Sequence, residues 1–98
     1  MAAPIYIGDE VSAAGFRLAG ARVNVPEPGR ESAALADARA SAPLVLVSAA
    51  VATRIPEVEM RRALAALAPL ALIVPDLRGE AQVPDVAARL RHQLGLEG

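Results

Sequence analysis

Asp9 and Glu10 are the residues best placed to do chemistry in this sequence. They follow an apolar run, Ile5-Tyr6-Ile7, and a glycine, Gly8, so two carboxylates stand where a strand would hand over to a helix. In parallel α/β sheets, ligands bind in the crevice outside the carboxyl ends of the strands, at a topological switch point. Paired acids there would suit Mg²⁺ and a phosphoacceptor, but that chemistry needs further acids and a lysine. The end of the third apolar run carries Ser48-Ala49 instead of an acid, and all ten basic residues are arginine. The missing lysine also removes a phosphate-loop lysine, a Schiff base and a lysine general base. Gly8 and Gly15 complete neither G-x-x-x-x-G-K-[ST] nor G-x-G-x-x-G. Gly8-Asp9-Glu10 is therefore expected to be a turn that caps a helix, with Asp9 at the N-cap and Glu10 near the positive end of the helix dipole.

The other candidates for chemistry are fewer. His92 is the single histidine and cysteine is absent, so neither a His–Cys metal site nor a thiolate nucleophile is available, and no Ser-His-Asp arrangement is readable. No metal and no cofactor is expected. Gly15 is expected to let a helix approach the sheet closely, and Phe16 to be a core residue. Arg61-Arg62 reads as a solvated helix face. Arg54 and Arg78 flank loops at the carboxyl edge and are available to a partner.

The elements that position these residues are legible as apolar runs. Strands are expected at residues 4–7, 22–25, 44–47 and 70–74. The third and fourth runs lack polar alternation, as strands covered on both faces do. A first helix follows Asp9, with Val11, Gly15 and Leu18 on its inner face, Ala14 beside them and Gly20 as its C-cap. A second, alanine-rich helix is expected over about 31–42, after the stiff turn Pro26-Glu27-Pro28-Gly29. A third is interrupted, with a first turn at 49–54 and a restart at Pro56, whose inner stripe is Met60, Leu64 and Leu67. A terminal helix is expected from Pro84 to about Leu94, with Val86, Leu90 and Leu94 at i, i+4 and i+8.

Strand–helix alternation repeated in this way gives an α/β class with a parallel sheet. Right-handed crossovers and short loops favour the order 2-1-3-4, a small Rossmann-like or flavodoxin-like three-layer domain with a C-terminal helix. The whole chain, 1–98, is expected to be one domain, with a core over 1–79 and a helical segment over 80–98.

Composition narrows the function classes. Hydrophobic residues make up 54% of the 98-residue chain, yet it has one Phe, one Tyr and no Trp. Alanine must therefore fill much of the core, which requires short distances between helices and sheet. A net charge of −1 argues against nucleic acid as the main partner, because phosphate binding needs a basic excess. No charged and then apolar leader is visible. The longest nearly apolar run, residues 63–75, is too short to cross a bilayer. A cytoplasmic domain with no direct membrane insertion is the expectation.

The opening motif also has a family look. A strand, the turn Gly8-Asp9-Glu10 and then Gly15-Phe16-Arg17-Leu18-Ala19-Gly20 resembles the start of the F subunit of the V-type and A-type rotary ATPases. Length and order of elements agree over most of the chain. The third strand enters Ser48-Ala49-Ala50, without the acid typical of that family, and Val74-Pro75-Asp76 stands where the family tends to have Glu-Ile-Pro.

The resemblance implies a non-catalytic central-stalk (rotor) subunit, peripheral to the membrane. It would bind the coiled-coil D subunit and other subunits of the rotary ATPase, and help couple ATP hydrolysis or synthesis to proton or sodium transport. In this reading Gly8, Asp9, Glu10, Gly15, Phe16, Leu18, Ala19 and Gly20 are structural or interface residues. Val86, Leu90 and Leu94 are the candidate partner-binding stripe, on a helix expected to be the most mobile element. The competing expectation is a stand-alone receiver-like or small-ligand-binding α/β regulatory domain that uses the crevice near Asp9, Glu10 and Ser48.

Overall fold

Four short strands and four helices alternate along the chain in a computed structural model that describes residues 3–75. They are β1 (Ile5–Ile7), α1 (Glu10–Leu18), β2 (Arg22–Asn24), α2 (Glu31–Ser41), β3 (Leu44–Ser48), α3 (Ala49–Ala52), α4 (Glu57–Ala65) and β4 (Leu70–Val74). The sheet is parallel throughout and ordered β2-β1-β3-β4, as the short loops and crossover rule require. Ile5 pairs with Arg22 on one side and Val45 on the other, which puts β1 in the interior. The expected terminal helix with Val86, Leu90 and Leu94 lies outside the described residues.

Helices cover the two faces unequally. On one face Ile5, Ile7, Val45, Val47 and Ala71 point toward α2, α3 and α4, which contribute Ala34, Leu35, Ala38, Val51, Met60 and Ala63. Small alanines let these helices lie close to the sheet, where dispersion contacts are dense. On the other face Tyr6 and Leu46 meet only α1 among the described helices, through Ala13 and Phe16. The two rings there stack with centroids 4.0 Å apart and planes 9° from parallel. Both are fully buried.

The ends of α1 follow from its sequence. The Asp9 carboxylate accepts hydrogen bonds from the Val11 and Ser12 N–H groups at 3.2 and 3.3 Å. At the other end Gly20 takes φ +102°, its N–H donating to Arg17 O and that of Ala21 to Phe16 O. This is the Schellman closure, in which a left-handed residue turns the chain back onto the last turn.

Three expectations fail in informative ways. The buried face of α1 is Ser12, Ala13, Gly15 and Phe16, so only Gly15 of the expected Val11, Gly15, Leu18 stripe is inside. Val11 and Leu18 are 55% and 52% exposed. The Phe16 ring, stacked on Tyr6, fixes the rotation of the helix and carries those two aliphatics to its flank. In α4 the packed residues are Met60 and Ala63, whereas Leu64 is exposed and Leu67 lies beyond the helix end at Ala65. Finally β4, read as covered on both faces, is an edge strand in which only Ala71 is buried.

Smaller differences are boundary shifts: β2 stops at Asn24, α2 at Ser41, and Pro56 serves as the N-cap of α4 rather than its first helical residue.

A ring stack that holds the only helix described on its face should weigh heavily on stability. We expect Phe16→Ala to destabilise the domain by about 3–5 kcal/mol, the usual range for deleting a buried aromatic. Urea unfolding of the two proteins measures this, and equal midpoints would refute the assigned role. Gly15→Leu should also destabilise, by about 1–3 kcal/mol, because extra methylenes would push α1 off the sheet.

Candidate interaction surface

The opening motif serves the fold residue by residue. A Cβ at Gly8 would fall on Cζ and Oη of the Tyr6 ring, so glycine is required there by close approach. Phe16 is the other half of the stack, Ala19 is buried at the helix end, and Gly20 supplies the positive φ. Glu10 is exposed, with Arg17 two turns along the same face at 3.9 Å, a solvated pair of small energetic weight. Sequence reasoning found these positions but missed why Gly8 is glycine, because the clash comes from a ring two residues back.

The crevice at the switch point is built from the same kind of commitments. Asp9 Oδ2 caps α1, and Ser48 Oγ caps α3 by accepting the Val51 N–H at 3.1 Å. Among the described residues no group of three or more His, Cys, Asp or Glu is placed to hold a metal ion. Glu31, which sequence reasoning took only as a helix start, is buried. One of its oxygens accepts the Gly29 N–H at 2.9 Å, and the other lies 3.9 Å from Arg54. Arg54, expected to be available to a partner, thus reaches back to the start of α2. Arg61 bonds Glu57 one turn earlier on α4 and remains exposed, as read. A cleft of about 240 Å³ at the end of β2 is lined by Asn24, Pro26, Arg30 and Asp37, with neither Asp9 nor Ser48 in its lining. Arg78 and His92 lie outside the described residues.

What the described surface does offer is exposed aliphatic side chains. Ala71 packs with Val45 and Val47 toward α2–α4, so the alternation of a strand turns Leu70, Leu72 and Val74 to the α1 face. Leu70 and Leu72 are 44% and 45% exposed there. Right-handed crossovers place β2 on one flank of α1 and β3 and β4 on the other. At 100° per residue, Glu10 and Arg17 fall on the β2 flank, and Val11 and Leu18 fall on the flank toward β4. Val11 and Leu18 stand more than 90° from the buried centre of α1, on its outer side toward β4, and Leu70 and Leu72 stand on the sheet surface.

A four-stranded parallel sheet with helices on both faces defines the class: a small doubly wound domain. The sequence model of the ATP synthase (F/14-kDa) subunit matches residues 5–90. The chain belongs to that family, the F subunits of the V/A-type rotary ATPases, and so to a rotary ATPase complex. No curated protein and no solved structure matches it significantly. Among the described residues no helix is long and apolar enough to cross a membrane.

If Asp9 acts as a cap rather than as a ligand for Mg²⁺, its removal should register in stability alone. Asp9→Ala is expected to cost about 1 kcal/mol, the usual weight of an N-cap. Thermal melts of both proteins with and without Mg²⁺ test this. A Mg²⁺-dependent rise in Tm of the parent that the variant lacks would restore the receiver-like reading.

Proposed function

We propose that this chain is a non-catalytic central-stalk subunit that binds the coiled-coil D subunit of its V/A-type ATPase and turns with it. It would thereby help couple ATP hydrolysis or synthesis to proton or sodium transport, from a cytoplasmic position peripheral to the membrane. The observation that carries this reading is the family match across residues 5–90. The geometry supports it from a second direction. The polar groups at the switch-point crevice cap helices, as Asp9 and Ser48 do, whereas large aliphatic side chains stand at the surface. Exposed apolar patches of this kind mark association surfaces.

The stripe Val86, Leu90 and Leu94 is the proposed partner-binding element. Its spacing of four residues is that of one helix face, which suits packing along another helix such as a coiled-coil shaft.

Co-expression with the long coiled-coil subunit of the same complex tests the assignment. The two should co-purify, and Leu90→Asp should weaken their binding at least tenfold, equivalent to about 1.4 kcal/mol. The isolated chain should turn over no ATP. Failure of the parent to bind any shaft subunit would overturn the rotor reading. Turnover by the clean protein that is lost in Asp9→Ala would overturn the non-catalytic one.

A further inference from the structure

Arg17, Arg54 and Arg61 each pair with a glutamate of this chain. Among the described residues Arg39 and Arg62 pair with none, although Glu59 shares their cleft. That cleft, of about 330 Å³, lies between α2 and α4. Its lining includes Ser32, Ala33, Ala36 and Arg39 from one helix and Glu59 and Arg62 from the other. Arg39 is partly buried, and its Nε is closed off from solvent with no hydrogen-bond acceptor. A buried donor left unpaired carries its full desolvation cost, so such a group in a native structure calls for an explanation.

Charge gives that explanation a sign. Two guanidinium groups and one carboxylate leave the cleft with a formal charge of +1, in a chain whose net charge is −1. A change of rotamer can bring Glu59 to one arginine, and the other then still lacks a partner. The cleft is one monoanion short. A carboxylate suits it better than a phosphate dianion, which would set a second negative charge beside Glu59. Arginine holds a carboxylate through two parallel N–H donors. The Nε–H of Arg39 becomes one of them when the side chain turns outward into the cleft.

We propose that this cleft receives one aspartate or glutamate side chain from a helix of another subunit of the ATPase complex, held between Arg39 and Arg62. Two features favour a helix as its bearer. Ala33 and Ala36 are exposed and three residues apart, so they are neighbours on the surface of α2. Only methyl groups separate the α2 backbone from an incoming helix there, which permits an approach near the short end of the roughly 8–10 Å range for packed helices. The volume also exceeds what a lone carboxylate fills, leaving room for the side chain that carries it. That the bearer is a subunit rests on membership of the rotary ATPase family, whereas the need for a monoanion rests on the cleft alone. Neither arginine belongs to the stripe proposed to meet the shaft.

The test adds the full-length chain back to the ATPase complex assembled without it. Arg39→Gln combined with Arg62→Gln should weaken rebinding about tenfold, and the difference from the parent should shrink at high salt. Arg62→Gln alone, at an exposed position, should act in the same direction without disturbing the core. Glu59→Gln should tighten rebinding, because it removes the internal competitor for the arginines, a gain that a merely structural role would not produce. Phenylglyoxal should modify Arg62 in the free chain and spare it in the complex. Sodium acetate and inorganic phosphate are titrated separately against the isolated chain, with the Arg39 Nε–H signal followed by NMR. Acetate should shift it at least as strongly as phosphate. Tighter binding of phosphate would assign a free-anion site and overturn the proposal. Equal rebinding of the parent and the double variant, or Arg62 still reactive in the complex, would overturn it as well and leave the stalk reading intact. Failure of the parent itself to rebind would overturn both.

Discussion

The contact between Tyr6 and Phe16 governs both the packing and the surface of this small domain. These are the only two aromatic residues in the chain, and they lie against each other with almost parallel rings. An offset stack of this kind adds roughly 0.5–1.5 kcal/mol to the burial of two large apolar surfaces. Its geometric effect is larger than its energetic one. Elsewhere the helices meet the sheet through Ala34, Ala38 and Ala63 beside Leu35, Val51 and Met60, with no flat ring to fix rotation. A single ring pair does fix it, and so decides which residues of α1 face the core. Gly8 follows from the same contact, since a side chain there would occupy the space of the Tyr6 phenol. So does the outward position of Val11 and Leu18.

The carboxyl edge of the sheet shows how a ligand-binding architecture can be closed without losing its polar residues. In doubly wound folds this edge gathers helix N-termini and their N–H donors, which is why anions and cofactors bind there. Here side chains satisfy such donors at α1 and α3, whereas α2 and α4 start without a side-chain cap. Asp9 takes two N–H groups of α1, Ser48 takes one of α3, and Glu31 takes that of Gly29 while standing near Arg54. Glu31 is the most telling of the three, because a carboxylate is rarely buried unless hydrogen-bonded and paired. Its bond and its arginine brace the turn before α2 against the segment after α3. The polar side chains bonded in this way serve the fold.

The fold was largely legible because apolar runs and turn chemistry agree with each other. The four runs are the four strands, Leu70–Val74 to the residue, and the Asp9 and Gly20 signals mark the ends of α1. The inner face of α1 was not legible, for a definable reason. Val11, Gly15 and Leu18 share helical spacing, but so do Ser12, Phe16 and Ala19, and a count of aliphatics favours the wrong set. Only the identity of the residue below, Tyr6, separates them, and that is tertiary information. The Met60, Leu64, Leu67 stripe failed differently. α4 ends at Ala65, so a pattern extended past the helix end carried Leu67 into a loop where it is 93% exposed. Edge position, too, is invisible in a run such as Leu-Ala-Leu-Ile-Val, which reads as central whether or not anything covers it.

The uneven cover of the two faces links these observations to one another. Among the described residues three helices share one face and cover its central strands. Among the described residues the other has α1 alone, rotated by its aromatic pair so that Glu10 and Arg17 lie on the β2 side and Val11 and Leu18 on the β4 side. Had Phe16 not been stacked on Tyr6, Val11 and Leu18 would lie beneath the helix rather than on its outer side. The interaction that secures the core therefore also shapes the surface.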